Sequence, residues 1–320
     1  MTDHHIHLDE LDEISLAAGD RVLFNRGKEY AGLVIRATVP GVFYGYYGEA
    51  DHGPVIAGAS IKADGITLDG LAIKDSLKNG IVAGFCKDLK VANTTVEGSS
   101  ANGIWLNRVT GAVLKGCSFL KNGHGEKFDR QSIGVWNSTS VKILDTVIEH
   151  DGKGMCMEFG GQLGHLMDVD MVGCDIDNSK GNKKHTLSVY GGALHFERNT
   201  LIGNAESAAI LVVDATSPSR PIEVHISDSK ITGGYRGVTL YSETGKPTHS
   251  ESYAVVRNCI IRDCRIGMRV KPEWTTMDDA IEINHNLYER CGLSWSNKNC
   301  DFEEWQKISG QDKNSVYKEG

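Results

Sequence analysis

Along most of the chain one six-residue line recurs: apolar, any residue, two small or polar residues, any residue, apolar. It reads LDGLAI at 68–73, VANTTV at 91–96, LKGCSF at 114–119 and ILDTVI at 143–148. It continues as MVGCDI (171–176), FERNTL (196–201), ISDSKI (226–231), VRNCII (256–261) and INHNLY (283–288). The copies start between 23 residues (68 to 91) and 30 residues (196 to 226) apart, a spacing that marks stacked repeats. The alternation has the period of short strands and not of a helix, and Gly, Asn, Asp and Ser clusters separate the lines.

A second apolar line precedes most of these. It reads NGIVAG (79–84), NGIWLN (102–107), SIGVWN (132–137) and GMCMEF (154–159), then TLSVYG (186–191), AAILVV (208–213), GVTLYS (237–242) and IGMRVK (266–271). Each turn of the repeat therefore holds at least two short strands. One turn cannot bury its apolar residues alone, but stacked turns make a continuous core. The expected fold is an all-β, single-stranded right-handed parallel β-helix. Within the repeat, Thr94, Cys117, Thr146, Cys174, Asn199, Ser229, Cys259 and Asn286 share one slot. Stacking turns that slot into a ladder with rungs about 4.8 Å apart. The three cysteines in it are not in adjacent coils, and none of the chain's eight cysteines forms a CxxC pair. They read as buried free thiols, not as disulfides or a zinc ribbon.

Three stretches carry a family resemblance. LDEISLAAGDRVLFNRGKEYAGLVI (11–35) resembles the entry segment of the pectate-lyase-like right-handed β-helix superfamily, and GVFYGYYGEADHGPVIAG (41–58) resembles its next coil. DFEEWQKISGQDKNS (301–315) resembles the helix and turn that follow the last coils in polysaccharide-directed members. The resemblance implies a short N-terminal capping helix and a short C-terminal helical tail. It divides the chain into a cap and first coils (1–58), the β-helix (59–292) and a tail (293–320). The superfamily hosts lyases, hydrolases, epimerases, esterases, phage tailspikes and passive fibres, so the fold alone does not name a reaction. In many relatives the tail leads to a further coil, whereas here the chain stops at VYKEG. That departure raises the expectation of a different cap, supplied by another chain or a homotrimer, because open strand edges invite pairing.

In GIWLN, Ile104 and Leu106 point inward and Trp105 and Asn107 outward. Carried along the repeat, this register predicts an outward column of Trp105, Asn107, Asn137, Glu158, Tyr190, Asp214, Tyr241, Arg269 and Lys271. Rings that stack on sugar faces, mixed with groups that bind hydroxyls and uronate carboxylates, suit a polysaccharide groove. The plain alternative is a solvated sheet face, which exposed aromatic side chains argue against. Polar turns before these strands bring Arg130, His150, Asp151, Lys153, His185 and Arg236 to one edge, although turn residues are polar by default. Two reactions fit. Glu158 and Asp214 are the candidate carboxylate pair of a glycoside hydrolase. His150 beside Asp151, with Lys153, suits the base of a lyase or epimerase, with the arginines neutralising a uronate, and His185 is a further catalytic candidate expected to face one groove with Glu158 and Asp214. Calcium is the one candidate cofactor, at Asp168 and Asp170 or at Asp175 and Asp177, although alternating Asp on a strand is more commonly a solvated face.

Charge narrows the partners. With 42 acidic and 34 basic residues and no basic stripe, the chain is not expected to bind nucleic acid. No stretch is apolar enough to span a membrane, and the first residues lack the charged and apolar pattern of a signal peptide. The expected function is a polysaccharide-binding and polysaccharide-degrading β-helix protein, a lyase or a glycoside hydrolase. The alternative is a non-enzymatic phage virion protein: a tailspike-like receptor binder, a fibre or a decoration protein. Either reading places the protein outside the cell or on a virion.

Overall fold

A computed structural model of the chain describes residues 1–319, apart from 7–10, 12–13, 126–129, 162–166, 183, 215–220, 243–250 and 276–279. The architecture is a parallel β-helix. Each complete coil contributes one strand to each of three faces. The first face is a sheet of twelve strands running from Asp3–Ile6 to Ile281–Asn284. The long strands Glu29–Ala37 and Val55–Ile61 begin the second and third faces together, Val55–Ile61 pairing with both Ala72–Lys74 and Ile81–Gly84. The second face then runs from Ala72–Lys74 to Val316–Lys318. The third face stacks Ile81–Gly84, Ile104–Asn107, Ile133–Trp136, Met157–Gly160, Leu187–Tyr190, Ala208–Asp214, Arg236–Ser242, Ile266–Val270 and Gly292–Trp295. These stacking pairs are parallel; the described exception is Lys298–Cys300, which runs antiparallel to Gly292–Trp295.

The repeated line folds as it does because of its corner. Between the first and second faces one residue takes a left-handed conformation: Asn93, Gly116, Asp145, Gly173, Arg198, Asp228, Asn258 and His285 all have φ between 48° and 68°. Gly116 and Gly173 adopt it without a Cβ penalty, and Asn and Asp tolerate it. The next residue is the ladder slot, and all eight members are buried. A corner inside the core has backbone carbonyls and amides that the flat ladder cannot reach, and an unpaired buried group is costly. The slot side chain supplies the partner. Thr94, Thr146 and Ser229 donate to the carbonyl two residues back, at 2.7–2.9 Å. Cys117, Cys174 and Cys259 do the same through Sγ. Asn199 and Asn286 go further: each accepts from the amide of the preceding coil's slot cysteine and donates to that coil's first-face strand. All eight cysteines are free, and seven are buried.

One apolar core runs from Ile6 to Trp305, so the residues expected as cap, helix and tail share it. At the N-terminal end Asp3–Ile6 adds a strand to the first face. The expected capping helix lies partly outside the described residues, and Ile14–Ala17 are not helical. At the other end the helical tail is present as a helix over Phe302–Ser309, N-capped by Asp301 and ended by Gly310 at φ 69°. Asp312 holds this end together. Its carboxylate accepts from Trp305 Nε1 (2.7 Å), Tyr288 OH (3.0 Å), Asn286 Nδ2 (3.2 Å) and Ser315 Oγ. The chain's own tail thus covers its last coil. No described helix is long and apolar enough to cross a membrane.

Candidate functional site

The third face carries the outward column. Its register is continuous, so each outward residue sits one rung from the next. The first row reads Trp105, Gly134, Glu158, Ser188, Leu211, Thr239 and Arg269, of which Ser188 and Thr239 have outward parity but are buried. The second, two residues further along each strand, reads Asn107, Trp136, Gly160, Tyr190, Val213 and Tyr241. Lys271 follows one residue after Ile266–Val270, on the side of Arg269. From Trp105 to Arg269 there are six strand spacings, about 29 Å at the usual separation.

Aromatic rings floor one half. Trp105 and Trp136 have centroids 6.4 Å apart, and Trp136 and Tyr190 lie 6.5 Å apart with planes 18° from parallel. Two glycines permit this. A Cβ on Gly134 would meet Trp105 Cε3 at 2.4 Å, and one on Gly160 would meet Trp136 Cζ3 at 3.0 Å. Each indole therefore lies flat over the glycine of the next coil. Beyond Trp105 the surface continues into a 440 Å³ depression lined by Val82, Phe85 and Asn107 among others.

Cations gather at the opposite end. Arg236 stands at the start of Arg236–Ser242, Arg269 one coil on, and Lys271 holds Nζ 5.9 Å from the Tyr241 ring. The Tyr235 ring is flanked by two guanidiniums, Arg236 at 4.9 Å and Arg265 at 5.0 Å. Arg236 is held below its usual pKa range by partial burial and then by the Arg269 charge. Lys271 is likewise lowered, first by desolvation and then by Arg269, with Glu273 opposing. Like charges packed this way disfavour one another and favour an anion between them. Tyr241 is fixed from behind: Trp274, buried in the short helix Pro272–Thr275, donates its indole N–H to the Tyr241 carbonyl at 3.1 Å.

Between the two ends lie Glu158 and His185. Glu158 accepts from Gln131 Nε2 at 2.5 Å. His185 Nδ1 accepts from the Ala208 amide at 3.2 Å, which leaves the proton on Nε2. Burial, then the charges of Arg236 and Lys184, lower its pKa. The ring is neutral at neutral pH and offers a donor, not a lone pair.

Three expected placements change. Asp214 is 1 % exposed, with the strand parity of the core residues Ile210 and Val212, and it lies beside Ser242. It therefore does not face Glu158 across the groove, and the carboxylate pair is not assembled. His150 is also buried. Its Nδ1 accepts from Ser132 Oγ (3.0 Å) and its Nε2 donates to the Gly154 carbonyl (3.1 Å), so both nitrogens are used inside the turn. Asn137 lies one residue beyond its strand at φ 52°, donating to Asn107 Oδ1 at 3.3 Å. The outward residue there is Trp136, which the alternation of Ile133 and Val135 signals once the frame is set by those two. Asp151 pairs with His124 at 3.0 Å on the rim, Lys153 is exposed in the same turn, and Arg130 is half-buried before Ile133–Trp136. Sequence reasoning misses Arg265 and Tyr235, each one residue before a strand whose turn carries no fixed pattern. Of the candidate calcium acids, Asp170 lies 3.4 Å from His195 Nδ1, Asp177 accepts from the Ser179 amide, and none belongs to a group of three ligands among the described residues.

A family model described as a right-handed β-helix region matches residues 57–248. No curated protein matches the chain in sequence. Among solved structures, the A-module of mannuronan C-5 epimerase AlgE4 from Azotobacter vinelandii is 12 % identical with a TM-score of 0.55, over 94 % of this chain and 91 % of that one. A GH136 lacto-N-biosidase from Eubacterium ramulus is 12 % identical with a TM-score of 0.56, over 99 % of this chain and 68 % of that one. A PL6-family polysaccharide lyase from Pseudopedobacter saltans is 12 % identical with a TM-score of 0.53, over 99 % and 91 %. At this identity the likeness is one of fold.

Proposed function

We propose that this chain, which belongs to the right-handed β-helix family, binds a uronate-containing polysaccharide along its third face and cleaves it by β-elimination. The observation that carries the reading is one face of the solenoid with an aromatic floor at one end (Trp105, Trp136, Tyr190) and a cation cluster at the other (Arg236, Arg269, Lys271), separated by a stretch in which Ser188, Val213 and Thr239 are buried. Rings bind the apolar faces of sugars, and clustered cations bind their carboxylates. The fold's occurrence in an epimerase, a lyase and a biosidase agrees with a sugar polymer as ligand. Elimination is favoured over hydrolysis because the cation cluster can neutralise a uronate carboxylate, and Glu158 is the one carboxylate among the described residues of the two outward rows, while hydrolysis needs two.

In this reading Arg236 and Arg269 hold the uronate carboxylate and disperse the charge that grows on it when C5 loses its proton. Lys271, whose pKa is lowered, takes that proton. The C5–H electron pair becomes the C4–C5 double bond, the C4–O4 bond breaks, and the Tyr241 hydroxyl supplies the proton for O4. His185 Nε2–H and the aromatic floor hold neighbouring sugars.

The test is incubation with uronate-containing and neutral polysaccharides, reading unsaturated-uronate ultraviolet absorbance and new reducing ends. Both signals on an acidic polymer, lost in Lys271→Ala, support the proposal. New ends without absorbance mean hydrolysis and remove the Lys271 assignment. Salt-sensitive retention on immobilised acidic polysaccharide without cleavage leaves binding alone. Silence in all three rejects the groove.

A further inference from the structure

We propose a transition-metal site on the first face, away from the groove, formed by His195, Glu223 and His225. These three residues each present a ligand atom within 4.8 Å of the others. The register explains why they meet. Glu223 and His225 are two apart on Ile222–Ser227 and so share a side, and His195 is the direct cross-strand partner of His225. The two imidazoles meet edge to face, centroids 4.9 Å apart.

The surroundings are those of a ligating set. Asp170, on the preceding strand, lies 3.4 Å from His195 Nδ1. A carboxylate on one ring nitrogen fixes the ring and leaves the other nitrogen, Nε2, to ligate, as at zinc sites generally. On the other side Tyr253 OH lies 2.5 Å from His225 Nε2 and 3.2 Å from Glu223 Oε1, and Glu223 Oε1 is 3.3 Å from that same Nε2. Three donor atoms from two strands thus converge on one point of the surface. Two imidazoles and one carboxylate suit Zn²⁺ or a neighbouring first-row ion, whereas Ca²⁺ and Mg²⁺ need an oxygen set. Three protein ligands leave a coordination position open to water or to an outside ligand. A bound ion would also clip together the coils that carry His195, Glu223 and His225.

The test uses the full chain without an affinity tag and Zn²⁺ alone, by titration calorimetry, with the visible spectrum of the Co²⁺ form as a second readout. One ion per chain is expected, with a rise in Tm. His195→Ala, His225→Ala and Glu223→Gln should each weaken binding by about 100-fold or more, the upper end of what losing an outer-shell partner costs, and Asp170→Asn by about 10-fold. His4→Ala/His5→Ala, which alters a surface histidine pair elsewhere on the chain, should leave binding unchanged. Retained binding and Tm rise in His195→Ala/His225→Ala, loss in the His4/His5 variant, preference for Ca²⁺ over Zn²⁺, or no heat at micromolar Zn²⁺ would each overturn the site.

Discussion

Replacing His150 with Gln changes how stability responds to acid, and its size follows from the burial of one ring. His150 is 2 % exposed, and desolvation, partly offset by the Gly154 carbonyl and the Asp151 charge, brings its pKa from 6.5 down to about 4. The neutral ring is the one that fits, with Nδ1 accepting and Nε2 donating. In the unfolded chain the ring titrates near its ordinary value of about 6.5. As pH falls through that value the unfolded state takes up a proton that the folded state refuses until about pH 4. Folding therefore loses stability across that window and is unaffected by this group above it. Linkage puts the loss at about 1 kcal/mol by about pH 5.5 and about 3 kcal/mol by about pH 4. His150→Gln removes the titration. It costs about 1–3 kcal/mol at about pH 7.5, where Ser132 and the Gly154 carbonyl lose well-placed partners. Urea unfolding of both proteins at about pH 7.5, 5.5 and 4 checks this, since every other group titrates equally in the two. The gap between them should narrow as pH falls and close or reverse by about pH 4. Parallel curves would refute the buried neutral ring and return His150 to the candidate bases.

Further outcomes follow from the same geometry. Gly134→Ala should cost about 1–3 kcal/mol, because its Cβ meets the Trp105 indole. In a Trp105→Ala background it should instead gain a few tenths to about 1 kcal/mol from the stiffer strand. Equal effects of Gly134→Ala in the two backgrounds, measured by thermal unfolding, would deny that the glycine exists to seat the ring. Asp312→Ala should cost about 3–5 kcal/mol, leaving the fully buried Tyr288 and Trp305 donors unpaired. Its first sign should be proteolysis within residues 298–319, and a neutral effect would remove the carboxylate as the keystone of that end. A thiol reagent on the native protein should label Cys300 and spare the seven buried cysteines, whose thiols burial pushes above their usual pKa. Rapid labelling of Cys117, Cys174 or Cys259 would contradict the corner ladder.

Much of this molecule is legible in the chain itself. The six-residue line marks the coil because its corner needs one residue that tolerates a left-handed backbone and one small hydrogen-bonding group after it. Both needs are local, so they recur in the chain along the copies from VANTTV to INHNLY, Arg198 being the one corner residue without that tolerance. Inward and outward sides of a strand are also local, as Trp105 and Glu158 show. What the sequence leaves undecided is phase between coils. The turns before the third face vary in length, so counting residues slips. Counting lands on Asn137 where Trp136 faces out, and it places Asp214 outside although that residue has the core parity of Ile210 and Val212. Burial of His150 depends on how its turn folds back on Ser132 and Gly154, which no spacing announces. The same holds for His195 and His225, thirty residues apart in the chain and adjacent across one rung. Chain-local periodicity determines the coil. Which side chains meet across coils is decided by register, and register exists only once the coils have stacked.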